Sequence, residues 1–153
     1  MTGISYKTTI NDADMRRKTA DIIDRMERPR GFYKSVGEHL LISVDERFEK
    51  EQAPDGTPWK ELSAVTVERR EAAGYGPRPI LRVTGAFRGS FNYEASDADV
   101  RVGTAAVQGA MMHFGGESKG YMKGKIEARP ILGLSPNDET EIFAIAEEWL
   151  TVE

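Results

Sequence analysis

Between Phe32 and about Lys50 six apolar residues, Phe32, Val36, Leu40, Leu41, Val44 and Phe48, recur at the spacing of an α-helix. A stripe of that length has to be covered, because a helix of this size draws most of its stability from packing of its apolar face. A second strong helix signal lies near the other end of the chain. Ser135-Pro136-Asn137-Asp138 places Ser at a helix cap, Pro at the first helical position and Asp at the third, and Ile142, Ile145, Ala146, Trp149 and Leu150 follow on one face to about Thr151.

The segments between and before these two helices are shorter. Asn11 or Asp12 caps a first helix with Met15, Ile22, Ile23 and Met26 on one side, which Pro29 and Gly31 are expected to break. Ala53-Pro54-Asp55-Gly56 reads as a turn ahead of Trp59, a large apolar anchor. Ser63 or Thr66 caps a short polar helix closed by Gly74, and Gly76-Pro77-Arg78-Pro79 is loop. Ala86 to Phe91 reads as either a short helix or a strand, with the helix preferred. Alternating runs at Phe91 to Ala95 and Val100 to Gly103 flank Ser96-Asp97-Ala98-Asp99, a hairpin signal. Thr104 is read as the cap of a helix through Met111 that stops at Gly115-Gly116, with His113 at its C-terminus complementing the dipole. Gly116 to Lys125 reads as a mobile loop rich in Gly and Lys, and Ile126 to Leu134 as a strand that Pro130 confines to an edge. The expected fold is α+β, with amphipathic helices on a small antiparallel sheet. Residues 1–31 form an N-terminal helical segment that either folds on the core or docks on a neighbouring copy, and residues 32–153 form a single domain.

At 153 residues the chain suits one core. It has no cysteine, which excludes disulfides, thiol nucleophiles and thiolate metal sites, and this fits synthesis in a reducing cytoplasm. No signal peptide or membrane span is expected. The net charge of -4 is unevenly spread. Residues 60–130 carry 11 basic and 8 acidic groups, whereas 131–153 carry none and 6. That is not the dense basic stripe of a nucleic-acid module, and the asymmetry suits contacts between copies of one protein.

Several motifs invite a chemical reading. Gly116-Glu117-Ser118-Lys119-Gly120 matches the G-x-S-x-G of a nucleophile elbow, which would make the chain a small serine hydrolase using Ser118. Both histidines, His39 and His113, precede that serine, contrary to the order in that fold, so no catalytic residue is assigned. His113 and Glu117 stand four apart, as two metal ligands on one helical turn would, but Gly115-Gly116 between them undoes the turn; no calcium-loop spacing continues Asp97 and Asp99, and no metal or cofactor is expected. Lys119, Lys123, Lys125 and Arg129 could touch a nucleic-acid backbone, but only Tyr121 among them offers an aromatic ring, so a protein contact is the better use.

Four separated blocks carry a resemblance. They are Phe48 to Trp59 with Leu62-Ser63, Thr66 and Arg69; Ile80-Leu81 with Thr84-Gly85; Val102-Gly103-Thr104 with Phe114-Gly115-Gly116; and Ala128 to Ser135. Together they resemble the phage virion morphogenesis family, the tail-completion proteins of Mu-like and related tailed phages. The sequence departs from that pattern at Met112 and Gln108, where a histidine and an aromatic residue would stand. The resemblance implies a structural protein of the virion neck, not an enzyme, made in the host cytoplasm and acting as several copies in a ring that joins tail to head. The partners it implies are neighbouring copies, a connector or head-completion protein, and the tail tube or terminator, with DNA passing but not read. A tail-terminator or connector ring is the alternative. Trp59, Phe114, Gly115, Gly116, Lys119, Lys123, Lys125 and Arg129 are the candidate structural or interface residues, with Phe114 expected as a buried ring ending a helix.

Overall fold

The computed structural model describes residues 7–9, 11–118 and 124–151. In chain order these form α1 (Ala13–Glu27), α2 (Arg30–Lys50), α3 (Ala64–Ala72), a short 3-10 turn (Arg88–Ser90), β1 (Phe91–Ala95), β2 (Val100–Thr104), α4 (Gly109–Phe114), β3 (Gly116–Ser118), β4 (Gly124–Ile126) and α5 (Pro136–Leu150). The architecture is α+β, with two antiparallel two-stranded sheets among the described residues.

Long α2 is the axis of the fold. It packs against the β1–β2 hairpin and against α5. Val36, Val44 and Phe48 of the apolar stripe are buried, and Leu40 and Leu41 are half-buried. Two glycines allow close approach. A Cβ on Gly37 would run into the Tyr93 ring of β1, and one on Gly31 would run into the Trp149 ring of α5. Gly31 therefore does not break a helix. It sits inside α2, and the break falls at Arg28-Pro29, where Pro29 serves as the N-cap of α2.

β1 and β2 pair Phe91 with Thr104 and Ala95 with Val100. Their turn is held by Ser96, whose Oγ accepts from the backbone N–H groups of Ala98 (3.1 Å) and Asp99 (3.0 Å). Ser63 caps α3 by accepting from Thr66 N–H, and Ser135 with Asp138 forms a reciprocal capping box at the start of α5.

The core joins Val44, Phe48, Ala53, Trp59, Ile80, Phe87 and Ile131, with Leu62, Leu81, Phe91, Val102, Met112 and Leu132 packed against it. All four family-like sequence blocks contribute to this cluster. The residues that carry the resemblance thus help to build the interior.

Further expectations change in the second half of the chain. Thr104 ends β2 and does not cap a helix, and α4 begins later, at Gly109. The ends of the Gly116–Lys125 segment are paired as β3 and β4, Gly116 opposite Ile126 and Ser118 opposite Gly124, while residues 119–123 lie outside the described residues. The strand expected over Ile126 to Leu134 is confined to its first residue, the last of β4; residues 127–135 run without a ladder partner. Pro130 has no N–H to give to a ladder, and side chains from elsewhere take the neighbouring backbone groups.

Candidate functional site

The segment Arg129-Pro130-Ile131-Leu132 is gripped from three directions. Its first N–H donates to Met112 O at 2.8 Å. Trp59 Nε1 donates to Pro130 O at 2.8 Å, and Arg47 Nη1 donates to Ile131 O at 2.6 Å. His113 Nδ1 accepts from the N–H groups of Ile131 and Leu132 at 3.1 and 3.3 Å. Apart from the Arg129 N–H, the backbone groups named here that a strand would satisfy through a ladder are met by side chains, so the segment is positioned without a sheet partner.

His113 must leave Nδ1 unprotonated to accept those bonds, which assigns its proton to Nε2 in the neutral form. Burial also pushes its pKa below the ordinary 6.5. The expected charged residue complementing the α4 dipole is therefore replaced by a neutral acceptor, because burial disfavours the charge and two backbone N–H groups point at Nδ1. The sign for stability follows from linkage. The unfolded chain takes up the proton first, so this contribution is complete above pH 6.5 and is lost as pH falls below it towards the folded value. Urea midpoints measured from pH 8 to pH 5 are expected to drop on the acid side, and to drop less in His113→Asn, whose amide oxygen accepts without titrating.

Arg129 is also turned inward. It is 6 % exposed, with Nε donating to Lys60 O (2.8 Å) and Nη2 to Glu61 O (2.9 Å). Its guanidinium belongs to the scaffold and is not part of a surface cation strip. Lys125 is exposed and pairs with Glu127 at 3.2 Å, and Glu127 also accepts from Lys60 at 2.9 Å. Lys119 and Lys123 lie outside the described residues. Trp59 is 5 % exposed in the core.

Phe114 is the largest departure from expectation. Its ring is 76 % exposed. In the short helix α4, Gly109 is buried and Met112 and His113 are half-buried. Phe114 follows at a helical angle that points it away from the face those three share. Gly115 caps the helix with φ 70, and a Cβ there would lie 2.7 Å from Ile126 O and Ala128 N, so both its conformation and its space demand glycine. Gly116 follows as the first residue of β3.

Phe114 stands on the rim of an apolar groove of about 320 Å³, lined by Phe91, Gly103, Thr104, Gly109, Ala110, His113, Ile131 and Leu132. Among the described residues the ring it packs against is that of His113, edge-on at 4.6 Å. An uncovered aromatic beside an apolar groove is the composition of a protein contact surface.

Ser118 ends β3 in a hairpin ladder with β4, not on a strand-to-helix turn. Both histidines are engaged elsewhere, His113 as above and His39 through Nε2 to Asp138 Oδ1 at 3.0 Å. The geometry of a nucleophile elbow is not formed. No group of three or more His, Cys, Asp or Glu suited to a metal ion occurs among the described residues, and no helix there is long and apolar enough to cross a membrane.

The arrangement hardest to foresee is buried between α2 and α5. Asp138 is fully buried and Arg47 is 4 % exposed, with Nη2 donating to Asp138 Oδ2 at 2.6 Å. The same Oδ2 accepts from Ser135 N–H at 2.8 Å and Ser135 Oγ at 2.7 Å. Burial works against the carboxylate's charge. Hydrogen bonds from Ser43 and Ser135 and the Arg47 charge outweigh it, holding the pKa at about 2, below the usual 3.8. The capping pattern at Ser135 signals Asp138, but nothing local signals Arg47.

Against known proteins, the chain matches the phage virion morphogenesis family over residues 10–151. It is similar to the candidate capsid assembly protein G of Escherichia phage Mu, 27 % identical over 134 residues, covering 85 % of this chain and 86 % of that protein. It is also similar to the Mu-like prophage FluMu G protein 1 of Haemophilus influenzae, 28 % identical over 151 residues, covering 97 % and 95 %. No solved structure matches. With a family match that spans nearly the whole chain and four sequence blocks converging on one core, the protein belongs to the phage virion morphogenesis family.

Proposed function

We propose that this protein is a structural subunit of the head-to-tail junction, completing the tail and holding it to the head as one copy in a ring. The family supports a role in building the phage particle. The observation that carries the finer reading is Phe114, an aromatic ring left 76 % exposed on the rim of an apolar groove. In a ring, each subunit meets its neighbours through two different surfaces, and such a patch is suited to be one of them. The other partners would be a connector or head-completion protein and the tail tube or terminator, with DNA passing through the ring unread, and the protein's place would be the neck of the virion.

Phe114→Asp tests this surface. Because the side chain is exposed, the folding free energy is expected to change by no more than about 0.5 kcal/mol. Affinity for the neighbouring subunit is expected to fall roughly 30-fold or more, as on loss of an aromatic hot spot. In a phage carrying the variant, electron microscopy should show separate DNA-filled heads and tails. Joined particles in the variant would remove Phe114 from the interface. Joined, infectious particles after deletion of the whole gene would remove the neck assignment itself.

A further inference from the structure

Helix α1 is tied to its own chain at one end. Arg25 Nη1 donates to Trp149 O (2.7 Å) and Thr151 O (2.9 Å) at the end of α5, and Trp149 Nε1 returns a bond to Arg25 O at 3.4 Å. No residue of α1 is buried. Ile22 is half-covered, while Met15, Ile23 and Met26 are 66 %, 50 % and 62 % exposed. Met15, Ile22 and Met26 fall on one line of the helix, with Ile23 beside it. An apolar stripe is thus presented to solvent, and none of its residues lines the Phe114 groove.

The charges of α1 are ordered along its axis. Arg16, Arg17 and Lys18 lie in the N-terminal half, and Asp21, Asp24 and Glu27 in the C-terminal half. The two charges that run against this order are taken up within the chain, Asp14 by Arg17 and Arg25 by the α5 carbonyls. Lys18, Asp21 and Glu27 form no salt bridge among the described residues. The pairs Arg16–Asp12, Arg17–Asp14 and Arg28–Asp24 are exposed, so they hold little free energy and exchange readily. Two α1 helices laid antiparallel with their stripes in contact bring Arg16 and Lys18, which flank the stripe, towards Glu27 and Asp21 of the other copy, while Arg17 and Asp24 face away from the contact. Laid parallel, they set like charge on like.

We infer that α1 is a docking surface for α1 of a second copy, forming an antiparallel, two-fold symmetric helix pair. The contact is self-complementary, as a two-fold interface requires, and Met side chains suit it because they adapt to an irregular partner surface. It goes beyond the ring reading and does not depend on it: a ring needs a head-to-tail contact, whereas this one links copies in pairs. One helix face is well below the roughly 800 Å² per partner of a standard interface, so the pair dissociates on dilution.

The absence of cysteine makes the test direct. Full-length Met15→Cys and Met26→Cys chains, each also carrying Phe114→Asp so that the groove contributes nothing, are oxidised separately and as a mixture. Antiparallel pairing brings residue 15 of one copy to residue 26 of the other and leaves two sulfurs introduced at position 15 roughly 16 Å apart, too far to bridge. The mixed disulfide is expected to form at least tenfold faster than either homodisulfide and tenfold faster than that of a Glu68→Cys control on exposed α3, and adding Ile23→Lys should abolish it. Homodisulfides of Met15→Cys at an equal or greater rate, or mixed disulfide no faster than the control, would overturn the inference. Because the exposed positions of α1 carry no core contacts, helical content by circular dichroism should be unchanged in every variant.

Discussion

Asp138→Ala is expected to lower the unfolding free energy by about 3–5 kcal/mol, the cost of leaving a buried charge without its partner. Arg47 is 4 % exposed, and in the variant it would keep its bond to Ile131 O but lose the carboxylate it pairs with. The same substitution removes one half of the α5 capping box and the acceptor for His39. For a domain whose total stability is about 5–15 kcal/mol, that loss brings the folded state close to its limit. Arg47→Met is expected to be similarly costly, and the double change Arg47→Met with Asp138→Ala less costly than the sum of the two, because it removes both buried charges together. Urea unfolding of the four proteins completes the cycle, and strict additivity would mean that the pair is not coupled. Acid provides an independent check. The Asp138 pKa is depressed to about 2 from 3.8, so its contribution is present above pH 3.8 and is lost as pH falls through 2. The difference corresponds to about 2 kcal/mol. Asp138→Asn should lack that acid limb.

Phe48→Ala should cost about 3–5 kcal/mol, the range for deleting a fully buried aromatic ring. The Phe48 side chain has no exposed surface and meets three rings edge-on, Trp59 at 5.4 Å, Phe91 at 5.7 Å and Phe87 at 5.9 Å. Those rings come from the loop after α2, the start of β1 and the turn before it, so one deletion loosens all of these attachments to α2. The surrounding rings are too rigid to close over the space, which places the cost at the upper part of that range. Phe48→Leu, which refills most of the volume, should cost about 1–2 kcal/mol. Guanidinium titrations should show the midpoint shifting with the slope unchanged, and a shift for Phe48→Ala no larger than for Phe48→Leu would mean that the ring is not the keystone of the core.

Particular residues show how far the sequence reaches. The stripe of α2, the capping box of α5, the Ser63 cap of α3 and the Ser96 hairpin turn are all legible, because each depends on partners within a few residues along the chain. The α+β class follows from those elements, and the family resemblance from the blocks that line the core. The candidate site is less legible. Arg129 reads as a surface cation beside Lys125, yet its partners are carbonyls of Lys60 and Glu61, 69 and 68 residues away. His113 reads as a charge at a helix end, yet its partners are backbone donors 18 and 19 residues later. Phe114 reads as core by residue type, and only the start of α4 at Gly109 sets the angle that turns it outward.

By itself the sequence determined where the long helices and the first hairpin form, since periodicity, caps and turn residues act over a few residues and need no distant contact. Only the tertiary structure decided which charged side chains are buried and which aromatic is left in water. Those outcomes depend on α2 meeting α5 and on residues 129–132 passing between Trp59, Arg47 and His113, and desolvation and hydrogen bonding there are properties of groups brought together from across the chain.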